Sequence, residues 1–68
     1  MVVFITNKDG SMYVCALHDV CYITWVSAED KKQALAFPAH NADKWVELIA
    51  DMAGIECVET SPRRPGQL

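Results

Sequence analysis

Positive charge is scarce in the body of this chain. Residues 1–60 carry only Lys8, Lys31, Lys32 and Lys44 against all nine acids, a charge of −5, while Arg63 and Arg64 fall in the last eight residues. Phosphate backbones are held by lysine and arginine, so direct nucleic-acid binding by the body is disfavoured. Long apolar runs are missing too. The longest, Met12–Leu17, falls far short of the roughly 18 residues that a membrane helix requires, and no membrane partner is expected. The start of the chain has neither a basic stretch nor a small-residue cleavage site, so no secretory signal is expected. Cysteine is limited to Cys15, Cys21 and Cys57. An odd count leaves one thiol over under any disulfide scheme, and reduced core thiols in a cytoplasmic protein are the natural expectation. There is no internal repeat.

What is present is a change of hydrophobic period. With 68 residues and 51% hydrophobic content, the chain is one domain and too apolar to be disordered. A core this small often needs a metal, disulfides or a second subunit. From Val2 to Phe37 the apolar residues form strand-like runs. Val2–Ile5 is a first strand, and Asn7-Lys8-Asp9-Gly10 a turn in which Gly10 supplies positive φ. Ser11–Leu17 and Val20–Ser27 follow as strands joined at His18-Asp19. Glu29–Lys32 is a charged turn, and Gln33–Phe37 a weaker fourth strand ended by Pro38. From Ala42 to Ala53 the spacing becomes helical. Ala42, Trp45, Val46, Ile49, Met52 and Ala53 make an apolar stripe, with Asp43, Lys44, Glu47 and Asp51 opposite. Asn41 is the expected N-cap and Gly54 the C′ residue. Ile55–Thr60 is a last strand. The expected fold is α+β: an antiparallel sheet of four to five strands in the order ββββαβ, with one helix on one face. Residues 1–60 form the domain, and 61–68 are expected to be a flexible tail.

One helix can cover only one side of a sheet, and neither side of this one reads as polar. Pairing Leu17 with Val20 puts Met12, Val14, Ala16, Cys21, Ile23 and Trp25 on one face. Tyr13, Cys15, Leu17, Val20, Tyr22, Thr24 and Val26 then share the other. Pairing Asn7 with Ser11 adds Val2 and Phe4 to the first face, and Val3 and Ile5 to the second. The Trp25 face is the expected core. The tyrosine face is left over, and an exposed apolar surface of this kind is where partners bind.

Candidate chemistry is sparse. Cys15, His18 and Cys21 form a C-x-x-H-x-x-C spacing to which His40 or Cys57 could add a ligand. A spacing of three in a strand turns side chains to opposite faces, so the cysteines read as small hydrophobes, and no metal or other cofactor is expected. A cysteine nucleophile with a histidine base has no local motif here and little room for a substrate pocket, so no catalytic residue is expected. Tyr13, Tyr22 and Trp25 could form a stacking platform for single-stranded nucleic acid, but the flanking cations are missing. Pro62-Arg63-Arg64-Pro65 reads first as a solvated tail and second as a proline-rich ligand.

In its short length, acidic balance, strand meander with one helix and lack of catalytic motifs, the chain resembles small accessory proteins of phages and mobile elements, the anti-CRISPR proteins among them. That resemblance implies inhibition by occupying a surface of a larger protein or complex, sometimes with acids placed where nucleic acid would sit. It carries over no functional residue.

The expected function is therefore a small, acidic, non-enzymatic protein-binding module. Its partner is a host defence or nucleic-acid-handling complex that it blocks, or a second copy in a homodimer. The candidate contact residues are Tyr13, Leu17, Val20 and Tyr22 on the open face, with the acids Asp19, Glu29 and Asp30 for charge complementarity. A metal-stabilised or nucleic-acid-associated regulator is the alternative.

Overall fold

The computed structural model describes residues 1–18 and 22–60. The order of elements is β1 (Val2–Asn7), β2 (Met12–His18), β3 (Tyr22–Ser27), a 3-10 segment (Ala28–Gln33), β4 (Phe37–Pro38), a 3-10 turn (Ala39–Asn41), α1 (Ala42–Ala53) and β5 (Cys57–Thr60). All strand pairs are antiparallel: β2 with β3 and β1, and β1 also with β4 and β5. This is the α+β arrangement expected, with five strands and one α-helix among the described residues.

The first turn forms as its residues dictate. Gly10 takes φ 77°, its N–H donates to Asn7 O at 3.1 Å, and Asp9 Oδ1 accepts from Ser11 N–H at 3.0 Å. Its length differs from the expectation by one residue. Asn7 Oδ1 accepts from Met12 N–H at 3.1 Å, and Thr6 lies opposite Tyr13. The Asn7 side chain takes the Met12 amide, so Ser11 stays in the loop rather than pairing with Asn7. Because side chains alternate with period two, this single step exchanges the faces of β1. Val3 and Ile5 enter the core, whereas Val2 and Phe4 turn to the opposite face.

The second correction lies in β2 and β3. Leu17 pairs with Ile23 rather than Val20, and His18 with Tyr22, so three residues separate the paired ends instead of two. The register also shifts between Val14 and Ala16, leaving Cys15 as a bulge. An extra residue in one strand inverts the alternation beyond it. Val14 and Leu17, which plain alternation would separate, therefore both face the helix.

The expected fourth strand over Gln33–Phe37 shrinks to Phe37–Pro38, and the charged turn before it becomes the 3-10 segment. Alanine is a poor strand former, and the lysine-rich stretch stays exposed. The chain here nevertheless ties two strands together. Leu35 N–H donates to Val14 O at 2.9 Å, while Phe37 and Pro38 pair with Val3 and Val2.

The helix spans the predicted Ala42–Ala53 and ends at Gly54, whose φ of 72° is left-handed and whose N–H donates to Ala50 O at 2.8 Å. Glycine adopts this conformation without a Cβ penalty. Asn41 occupies the N-cap position, but its side chain caps nothing. Its ψ of 18° lies outside the extended region of capping residues. Asn41 Oδ1 is left buried without a partner among the described residues. The final strand begins two residues later than expected, at Cys57.

The core lies between the sheet and α1. Ile5, Val14 and Ile49 are fully buried, joined by Val3, Phe37, Ala42 and Cys57, with Leu17, Ile23, Trp25, Trp45 and Val46 packed around them. The Phe37 and Trp45 rings meet at 5.6 Å, seating the helix over β4. Ile49 is the one fully buried large side chain that the helix contributes. Ile49→Ala is expected to cost about 3 kcal/mol through lost burial and the cavity left behind, whereas Leu48→Ala, on the exposed side, should cost under about 1 kcal/mol. Urea denaturation of the two variants beside the wild type checks this.

Candidate partner-binding face

The face turned away from α1 is assembled by register. Val26 lies opposite Tyr13, Tyr13 opposite Thr6, and Thr6 opposite Val58, a row across β3, β2, β1 and β5. Paired residues share a face. Strand alternation and the pairs Phe4–Thr60, Ala16–Thr24 and His18–Tyr22 add Val2, Phe4, Ala16, His18, Tyr22, Thr24 and Thr60 to it. Among the described residues this face carries no Asp, Glu, Lys or Arg.

Its centre is closed and its margins are open. Thr6 is fully buried and Tyr13 nearly so. The Phe4 and Tyr13 rings meet edge to face at 6.0 Å, an arrangement favoured by the ring quadrupoles. The Thr6 hydroxyl donates to Asn7 O at 2.8 Å and lies 3.3 Å from that of Thr60. Around this centre Tyr22 is 60% exposed, Val2 43% and Val58 39%. Tyr22 stacks on His18 with ring centroids 4.3 Å apart and planes 12° off parallel, and the His18 Nε2 in turn meets the Thr24 hydroxyl. A surface aromatic held by a stack and a hydrogen-bonded neighbour loses little rotamer freedom when a partner covers it.

The expected contact residues divide accordingly. Tyr22 stands exposed on the open face, as expected. Tyr13 is on that face but buried under its neighbours. Leu17 is a correction: the Cys15 bulge carries it to the helix side, where it packs on the core. Val20 and Asp19 lie outside the described residues, as do Cys21 and the tail from 61 to 68. Glu29 and Asp30 are exposed in the 3-10 segment, where Asp30 Oδ2 accepts from the Ser27 hydroxyl at 3.5 Å. Residue-by-residue reading missed Phe4 and Val2. The signal that assigns them is Asn7, whose side chain can substitute for a backbone partner and lengthen the turn.

The charges collect at one end of the sheet. Ala28 N–H donates to Ser11 O at 3.0 Å, which brings the first turn beside the start of the 3-10 segment, and Asn7 pairs with Cys57. Asp9, Glu29, Asp30 and Glu56 therefore share that end with Lys8, Lys31 and Lys32. Lys8 Nζ reaches Glu56 Oε2 at 3.9 Å, with both side chains about three-quarters exposed. Such a surface pair adds little stability. A shallow depression lined by Asn7, Lys8, Asp9, Ile55 and Glu56 lies there as well.

Nothing in this arrangement collects metal ligands: among the described residues no three His, Cys, Asp or Glu side chains come together. Cys15 sits half-buried at the bulge, and Cys57 is buried in the core. Burial pushes the Cys57 thiol pKa up, which keeps it protonated and inert. No described helix is long and apolar enough to cross a membrane.

Hydrogen bonds from the Ser11 side chain and backbone hold the Asp9 carboxyl below its ordinary 3.8. A depressed carboxylate stabilises the fold above its unfolded pKa, and that contribution disappears as pH falls through the folded value. The turn is therefore expected to loosen below about pH 4. Asp9→Asn should flatten the part of the acid unfolding curve that Asp9 contributes, read by circular dichroism against pH.

Comparison with protein-family models, with curated proteins and with solved structures gives no match to this chain.

Proposed function

We propose that this chain is a protein-binding module whose contact surface is the sheet face opposite α1. The observation that carries the reading is the row Val26–Tyr13–Thr6–Val58 with Tyr22 at its margin, set in a face without a formal charge among the described residues, on a body of −5. Keeping that face free of Asp, Glu, Lys and Arg is what a desolvated interface centre requires, because burying an unpaired charge is costly. Solubility alone would favour the opposite, with polar side chains outward on every second strand position. The exposed acids at one end of the sheet would form the rim and speed encounter with a basic surface. An inhibitor of anti-CRISPR type would use the same face and rim to occupy a nucleic-acid-handling complex.

Affinity capture from the organism that makes the protein tests this reading with three variants checked for folding by circular dichroism. Tyr22→Asp should lose at least 90% of the captured partner, by analogy with the removal of an interface anchor worth about 2 kcal/mol. Leu48→Asp on the outer side of the helix should retain it. Reversing Asp9, Glu29 and Asp30 to lysine should slow association with little effect on dissociation. Equal capture by the Tyr22 and Leu48 variants would exclude the open face.

A further inference from the structure

The unpaired edge of β3 leads to a second conclusion, independent of the open face. We propose that β3 pairs antiparallel with the β3 of a second copy, about a two-fold axis at Thr24, to form one continuous sheet.

The backbone sets the geometry. The bond from Ala28 N–H to Ser11 O, together with the Met12–Ser27 pairing, marks Ser11 and Ala28 as a hydrogen-bonded pair. Alternation makes Tyr13 and Val26 the next such pair, and Val14 and Trp25 a non-bonded one. The bond from Leu35 to Val14 O agrees, because it requires that carbonyl to point away from β3. It follows that the amides and carbonyls of Ile23 and Trp25 point away from β2. Among the described residues β3 pairs with β2 alone. These four polar groups therefore form an open row.

The sequence of the strand fits its own copy. In a sheet that keeps both helices on one side, paired residues must share a face, so odd positions meet odd and even meet even. With Thr24 on the axis, Ile23 lies opposite Trp25 of the second copy and Trp25 opposite its Ile23, and the two pairs satisfy the four outward groups of Ile23 and Trp25. Thr24 meets Thr24, and Tyr22 meets Val26. Aromatic with β-branched and threonine with threonine are favourable cross-strand pairs. Charge points the same way. Two bodies of −5 repel, yet Tyr22–Ser27 contains no charged residue, so the copies can join here without like charges in contact. Natural edges are usually blunted by lysine, proline or a bulge. β3 has none of these, and the bulge in the hairpin sits on β2.

Sedimentation equilibrium of the full chain at high micromolar concentration tests the proposal. The wild type should run at twice the 7.6 kDa chain mass. Thr24→Lys and Thr24→Glu each place like charges opposite one another across the axis, so each alone should be monomeric. Their equimolar mixture should recover the dimer. Val58→Asp, on the open face but remote from β3, should stay dimeric. Hydrogen exchange should show Ile23 and Trp25 amides gaining protection as concentration rises. A monomeric wild type would overturn the proposal, as would dimeric Thr24 variants or a mixture that stays monomeric. A dimer lost on Val58→Asp but kept by both Thr24 variants would place self-association on the open face and overturn the edge.

Discussion

Everything in this molecule depends on how one helix divides a sheet that is apolar on both sides. α1 supplies a single apolar stripe, with Ile49 at its centre. Strand register decides which residues meet it. The four-residue excursion at Lys8–Ser11 turns Val3 and Ile5 inward, and the bulge at Cys15 turns Leu17 inward with Val14. Together these two irregularities concentrate the aliphatic residues of three strands under the helix. They leave the tyrosines, threonines and small residues on the other side. The core is thus better filled than strict alternation would allow, and the outer face is less greasy than its sequence suggests.

That division gives the open face its character. A face of leucine and isoleucine would favour indiscriminate collapse. One built from Tyr, Thr, Ala and Val joins apolar bodies to hydroxyls that can bond to a partner. Its closed centre at Thr6 and Tyr13 provides a rigid floor, and Tyr22 with its His18 stack stands at the margin. The row is held by backbone ladders on either side, so its geometry is set by the fold itself.

The elements with the strongest local signals were legible in the sequence. The helix matched from Ala42 to Ala53, because its stripe and its terminal glycine speak to the same boundary. The first turn was legible in Asp9 and Gly10, and the ββββαβ order followed from the change of period. The faces were not fully legible, since register depends on one residue more or less in a loop and on a bulge that alanine and cysteine do not advertise. Plain alternation puts Val14, Ile23 and Trp25 on the core side, and Leu17, Val3 and Ile5 opposite it. Asn41 misled for a similar reason. Its residue type suits a cap, but as the last residue of the 3-10 turn it takes a ψ of 18°, outside the extended region of capping residues, and its side chain caps nothing. Of the expected contact residues, Tyr22 stands where the reading needs it, and the acids at Glu29 and Asp30 are exposed as expected.

The position of β1 has a consequence for how the chain acquires this shape. It is the first strand in sequence, yet it is bordered by β2, β4 and β5, and its longest ladder is with β5, from Phe4–Thr60 to Asn7–Cys57. That closure spans more than fifty residues, so most of the loop entropy falls on one late pairing step. Its β2 and β4 partners come earlier in the chain, but the side of this uncharged, β-branched segment that takes β5 stays open until residues near 60 are in place.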